Sequence, residues 1–181
     1  MRIVYISGSG RKNGNTSLLL KQMQEQLGGE IIHLVDYQIG HCTGCWSCRS
    51  MAECRQQDDM EDVIIPEILH ADIVVLGSPV FFNNVSSLMK TFMDRTWPLR
   101  GHLNNKIGAA VVVGRGYGEE SALTAINSFF LKHDMIVANR GVTGIGFKPG
   151  EVGDDSRGVK DTNKLVKRVV ELESKLFKRS L

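Results

Sequence analysis

The chain has 181 residues, of which 42% are apolar and 23% charged, and its formal net charge is +2. That length suits one domain, spanning 1–181, with a full core. The near-neutral balance gives no electrostatic case for nucleic acid. No apolar stretch reaches bilayer-spanning length. The N-terminal MRIVYISGSG lacks the charged, long apolar and small-residue regions of a signal peptide, so the expectation is a cytoplasmic protein without nucleic-acid or membrane partners.

Taken in chain order, apolar runs and helical patterns alternate. Ile3 to Ile6 reads as a first strand, ending at Ser7-Gly8. Thr16 to Leu27 reads as a helix, with Leu18, Leu19, Leu20, Met23 and Leu27 at helical spacing and Gly28-Gly29 as its stop. Ile31 to Val35 is a second strand, and Asp59 to His70 a helix built on Val63, Ile64, Ile65 and Ile68. Ile73 to Leu76 is a third strand, followed by a helix over Val85 to Trp97 carrying Leu88, Met89, Phe92 and Met93. Ala109 to Val113 is a fourth strand, and Glu119 to Lys132 a helix carrying Leu123, Ile126, Phe129 and Phe130. A weaker run, Met135 to Ala138, is a fifth strand. Gly141 to Gly158 holds six glycines and reads as a long loop, before a last helix over Asp161 to Arg179 carrying Leu165, Val169, Leu172 and Leu176. The strands are continuously apolar, as expected when helices cover both faces of a sheet. The pattern is that of an α/β, doubly wound, five-stranded parallel sheet.

Three strand ends carry turn chemistry. The first strand runs into Ser7-Gly8-Ser9-Gly10-Arg11-Lys12-Asn13-Gly14-Asn15-Thr16 before a helix starts. Glycines there allow close backbone approach, and the helix N-terminus offers unpaired N–H groups and the positive end of a dipole. Ser7, Ser9, Asn13, Asn15 and Thr16 add short polar side chains, a composition suited to a terminal phosphate. The loop is neither a Walker loop nor the dinucleotide Gly-x-Gly-x-x-Gly fingerprint. The plainer alternative is a polar turn with Thr16 as N-cap. The third strand ends in Pro79-Val80-Phe81-Phe82-Asn83, the fourth in Gly114-Arg115-Gly116-Tyr117-Gly118. In an open α/β sheet both emerge on the same edge as the first loop. A flat isoalloxazine needs backbone groups for its polar rim and apolar surface for its faces, and these turns supply both. Core packing is the alternative for one of Phe81 and Phe82.

These segments, together with Met89-Lys90-Thr91-Phe92-Met93-Asp94-Arg95, resemble the NADPH-dependent FMN reductase group of flavodoxin-like proteins, from residue 1 to about 140. The resemblance implies a flavodoxin-like fold. It also implies that the first loop holds the FMN phosphate and the other two the ring, and that a dimer forms with the helix after the Ser-Pro-Val loop at its interface. Arg11 and Lys12 could help hold FMN or attract the phosphate of NAD(P)H; a solvated pair is the commoner arrangement.

All four cysteines fall in one segment, Cys42, Cys45, Cys48 and Cys54, spaced C-x2-C-x2-C-x5-C after the second strand. Four thiolates in one compact loop can wrap a cubane, one per iron. Zinc prefers two pairs set further apart, and a disulfide is cramped at x2 spacing and disfavoured in a reducing compartment; both stay open. With Asp58-Asp59-Met60 behind it, the segment resembles the iron-sulfur flavoproteins, a branch of the same group. That resemblance implies a [4Fe-4S] cluster on the four cysteines, close to the FMN of a neighbouring subunit.

Trp46 could shield such a cluster or stack near a flavin, or simply pack; Trp97, before Pro98, suits a helix end or interface. The five histidines show no paired ligand spacing. Lys164, Lys167, Arg168, Lys175, Lys178 and Arg179 make the last helix basic, which fits a solvated face and, less directly, docking of ferredoxin. No side chain is required as a nucleophile or general base. The expected activity is flavin-dependent electron transfer between ferredoxin-like donors and small acceptors, by a homodimer or dimer of dimers. Two alternatives stand beside it: an NAD(P)H-dependent FMN or quinone reductase without a cluster, and a non-enzymatic sensor built on the cysteine loop.

Overall fold

The sheet forms because its central runs are apolar on both faces. Residues 1–51 and 53–177 are described by the computed structural model. Every residue of β1 (Ile3–Ser7) and β5 (Ile107–Gly114) is buried, as are the first six of β3 (Ile73–Phe81). With β2 (Glu30–His33) and β6 (Ile136–Val137) they run parallel in the order β2-β1-β3-β5-β6. Side chains alternate between two cores. Ile3 and Tyr5 face Leu19, Leu20 and Met23 of α1 (Asn15–Leu27) and Leu165 and Val169 of α6 (Ser156–Leu176). Val4 and Ile6 face Ile68 of α3 (Ile65–His70), Met89 and Phe92 of α4 (Ser87–Arg95), and Ile126 and Phe130 of α5 (Glu119–Lys132). No helix among the described residues is long and apolar enough to cross a membrane.

Among the described residues the sheet has seven strands rather than five. β4 (Asn84–Val85) folds back antiparallel on Val80 and Phe81. The fifth position is shared: β6 pairs the start of β5, and β7 (Val142–Ile145) pairs its end. Between them the Asn139 side chain accepts the Gly141 N–H at 2.7 Å and kinks the chain. The expected loop from Gly141 therefore begins as strand. Its glycines serve contact: a Cβ on Gly144 would meet Val152 at 2.7 Å.

Helix limits shift for local reasons. The pattern over 59–70 opens as a π-turn, Met60–Ile64, because Pro66 has no N–H to give residue 62. Val85 is spent as strand, so α4 starts after Ser86, whose hydroxyl accepts the Met89 N–H at 3.2 Å. Trp97–Leu99 forms a separate 3₁₀ turn. α6 starts five residues before the expected Asp161, capped by Asp155, which accepts the N–H groups of Arg157 and Gly158 at 3.1 Å each. Lys178 and Arg179 lie outside the described residues.

His133 ends α5, buried 4.7 Å from the Phe129 ring, with Nε2 3.0 Å from the Thr96 hydroxyl. Burial holds its pKa below the ordinary 6.5, opposed by Asp134 and assisted by Lys132. A folded histidine that resists protonation makes the fold lose stability as pH falls through the unfolded value, about 6.5. His133→Gln is expected to flatten the fall in denaturant stability between pH 7.5 and 5.5. A residual slope comes from His33, whose pKa burial also lowers. An unchanged slope in urea titrations would refute this role.

Candidate functional site

Parallel pairing brings the C-terminal ends of β1, β3 and β5 to one rim, where a crevice of about 350 Å³ opens. Its floor is the start of α1. The N-cap is Gly14, which has no side chain to cap with, and the first turn carries no acidic residue, so first-turn N–H groups face the crevice unpaired. Thr16 lies inside the first turn rather than at the cap. The loop holds its shape around one carbonyl, that of Arg11, which accepts from Ser9 Oγ at 3.0 Å, Gly14 N–H at 3.1 Å and Ser17 Oγ at 3.3 Å.

The second wall is the β3–β4 hairpin. Phe82 and Asn83 form its tip with φ of 47° and 59°, a twist that suits a tight hairpin and strains a bulky residue. Both phenylalanines line the crevice and neither is core: Phe81 is half exposed and Phe82 fully so. The third wall is Gly114, Arg115 and Tyr117. Glu119 Oε1 holds it from behind, accepting Gly116 N–H at 2.7 Å and Tyr117 N–H at 3.1 Å. Gly118 and Asn83 join the second and third walls: at φ 78°, a Cβ on Gly118 would lie 2.6 Å from Asn83 Cα.

Of the expected residues, the crevice gathers Ser9, Arg11, Asn15, Thr16, Pro79, Val80, Phe81, Phe82, Gly114 and Tyr117. Ser7, Asn13, Asn83, Gly116 and Gly118 do not line it. Ser7 is buried in the sheet, Asn13 accepts from Lys21 at 3.3 Å, and the other three shape the walls from behind. Lys12 pairs with Asp36 at 2.8 Å. A fourth wall was not anticipated: Gly146, Phe147 and Pro149. Asn15 ties it on, donating to Lys148 O at 2.9 Å and accepting from Gly150 N–H at 2.8 Å and Val152 N–H at 3.4 Å. Glu151 closes its turn, accepting from Phe147 and Lys148 N–H, and these bonds hold its carboxyl below the usual range. The Asn15 clue was local, one polar residue in the first helical turn.

The cysteine loop leaves the same rim from β2. Its two stems are zipped: Asp59 accepts from Gln38 N–H at 2.6 Å, and Asp58 from Gly40 N–H at 2.9 Å and Met60 N–H at 3.0 Å. Arg95 of α4, 1% exposed, lies across them. It donates to Gly40 O at 2.8 Å, to Gln56 O at 3.3 Å and to both oxygens of Asp58 at 2.6 and 3.0 Å. Despite its burial, Asp58 is held below the ordinary carboxylate range by Arg95 and the two N–H donors. Arg95 was legible as an oddity, a charge three residues after Phe92 on the apolar stripe of α4.

The four thiols are free; Cys42 and Cys45 are exposed, Cys48 and Cys54 half-buried. Burial raises the Cys48 pKa, and the other three cysteines add to the rise. The Ser47 hydroxyl and N–H favour the Cys45 thiolate and bring it to about 7. Among the described residues, no three His, Cys, Asp or Glu side chains are drawn together closely enough to hold a metal ion. Free thiols on an exposed loop have nothing of their own to gather them; a metal, which binds them as thiolates, does that. The donor set fits a thiolate-ligated centre, and the stems are fixed. Trp46 packs edge-on against Trp97 at 5.9 Å, and Arg100 lies 4.5 Å over the Trp97 ring.

A flavodoxin-like α/β sheet with such a rim defines a flavin-dependent oxidoreductase. The profile of the NADPH-dependent FMN reductase family matches residues 1–150, and the chain belongs to that family, in its iron-sulfur flavoprotein branch. It is 39% identical over 195 residues to an iron-sulfur flavoprotein of Methanocaldococcus jannaschii, covering 99% of this chain and 100% of that one. An iron-sulfur flavoprotein of Archaeoglobus fulgidus is 38% identical over 97% of this chain and 82% of its own. Among solved structures, RosB with a bound riboflavin-phosphate intermediate superposes with a TM-score of 0.79 at 16% identity, over 99% of this chain and 81% of RosB. An archaeal flavodoxin gives 0.62 at 15% identity, over 96% and 99%.

Asn15→Ala is expected to cost about 1–3 kcal/mol from its three lost bonds. Amide exchange over residues 146–152 should accelerate selectively. Uniform exchange across the chain would sink the assignment of Asn15 as the tether of the fourth wall.

Proposed function

We propose that the crevice holds FMN, with its phosphate at the start of α1 and its ring between the Pro79–Phe82 and Gly114–Tyr117 walls. We further propose that Cys42, Cys45, Cys48 and Cys54 hold a [4Fe-4S] cluster. The observation that carries the reading is the single crevice that joins an uncapped helix N-terminus to two aromatic-bearing turns. FMN supplies two-electron chemistry when bound, and a cluster one-electron chemistry. The residues bind and orient. First-turn N–H groups and Arg11 face the phosphate locus, while Pro79 and Val80 present apolar surface and a proline-stiffened backbone. Phe81, Phe82 and Tyr117 carry exposed apolar surface at the mouth. No residue need transfer a proton to carbon.

In this reading the protein passes electrons between ferredoxin-like donors and small acceptors, and works as a homodimer or dimer of dimers. The exposed Phe82 and Trp46 rings support burial against a second copy. A second reading, an NAD(P)H-dependent FMN or quinone reductase without a cluster, is favoured by Arg11 and Arg115 at the crevice.

Anaerobic reconstitution with FMN, iron and sulfide separates them. The first reading expects flavin bands together with bound iron and sulfide; flavin alone selects the second, and no flavin uptake overturns both. Cys45→Ser is expected to abolish iron and sulfide uptake and leave FMN in place; loss of both would contradict two separate sites. Gly118→Ala is expected to weaken FMN binding about tenfold or more, since strain of 1–3 kcal/mol falls on the joint between two walls. Unchanged affinity by fluorescence titration would count against those walls holding the ring.

A further inference from the structure

Arg95 has more donors than its clamp uses. It is the one permanently charged side chain that is buried among the described residues. Its two terminal nitrogens are spent on Gly40 O, Gln56 O and the Asp58 carboxylate. Its Nε–H, also buried, has no acceptor among the described residues. A buried donor without an acceptor is costly and calls for an explanation. Charge bookkeeping points the same way. Glu61, 3.6 Å from the guanidinium, has its pKa raised by burial, with Arg95 opposing, so Asp58 is the firm counter-ion. Two cysteines lie two residues from the clamped carbonyls, Cys42 after Gly40 and Cys54 before Gln56, and of these Cys42 is exposed and Cys54 half-buried.

We propose that Arg95 is the positioning residue of the thiol loop: it clamps both stems to α4 and reserves its Nε–H for the sulfur of Cys54. The inference rests on the reading of this loop as a cluster site. It assigns Cys54 a distinct place among the four ligands, as the anchored sulfur beside a buried positive charge, while Cys42 and Cys45 stay on the exposed side. An N–H···S bond and a nearby cation stabilise added negative charge on a cluster and raise its reduction potential. A plain structural staple would hold the stems and leave that potential alone.

The test uses the full chain reconstituted anaerobically with FMN, iron and sulfide, as wild type, Arg95→Gln, Arg95→Lys and Asp58→Asn. Readouts are FMN, iron and sulfide content, the potentials of cluster and flavin by spectroelectrochemistry, and amide exchange over residues 41–57 in iron-free protein. Arg95→Gln is expected to shift the one-electron equilibrium about tenfold, a potential lower by about 59 mV, and to speed loop exchange about tenfold. Arg95→Lys, which keeps the charge, should fall between, and the flavin potential should hold. An unmoved cluster potential in Arg95→Gln that still binds FMN overturns the sulfur contact. If Arg95→Gln binds no FMN, Asp58→Asn decides: removing the counter-ion should raise the cluster potential, and no change overturns the proposal. If wild type takes up FMN without iron and sulfide, the cluster reading fails separately. Loop exchange then judges the clamp, and rates unchanged by Arg95→Gln overturn it too.

Discussion

The register of three strands places everything else. Ser7 pairs with Gly77, and Pro79 pairs with Val113, all in parallel. Because the strands point the same way, the turns that follow β1, β3 and β5 leave from one rim and have to share space there. The two cores keep that register: a one-residue slip of β1 would send Tyr5 into the α3–α5 layer and Ile6 into the α1–α6 layer. The crevice is thus a consequence of pairing, and the turn residues only decide what it can accept.

That division explains what could be read ahead of the structure. The central strands were legible because burial on two faces leaves no charged residue inside a run, and the Glu119–Lys132 helix because Leu123, Ile126 and Phe130 fall at helical spacing. The Ser7–Thr16 loop and the two turns were legible as turns because glycine, proline and short polar residues at strand ends have few other uses. The fourth wall was not. Its residues depend on the broken fifth strand, and the break depends on one Asn139 side chain and on close packing at Gly144. Six glycines read as slack, whereas the chain uses two of them, Gly141 and Gly144, to lie against the core. In the same way Gly116 and Gly118 were read as lining the site when they form the joints behind it. Sequence shows which residue types are needed near a site and rarely which side of the wall they stand on.

The two candidate centres are built to different degrees of order. The walls of the crevice have anchors of their own: Glu119 behind the third, Glu151 and the crevice-lining Asn15 on the fourth, and Gly118 packed on Asn83 between the second and third. The thiol loop has anchors only at its stems, where Asp58, Asp59 and Arg95 meet. Beyond them its cysteines stand exposed or half-buried, with Cys45 favoured as thiolate by Ser47.

This asymmetry follows from the ligands each place suits. A flavin phosphate is already a rigid anion and gains most from a rim that needs no rearrangement. Four thiols lose their protons only as metal binds, and as thiolates they would repel one another without its charge, so the ordering is left to the metal. What the protein can fix beforehand is where the loop starts and ends. It does so with a charge placed in the helix that also packs Met89 against the Gly8 turn, where a Cβ on Gly8 would meet the Met89 Cβ at 2.7 Å. Ser86, the cap of that helix, donates to Gly8 O at 2.6 Å. One nine-residue helix therefore holds the Ser7–Thr16 loop at its first turn and the cysteine stems at its last, so the spacing of these two segments is set by a rigid element and not by either loop.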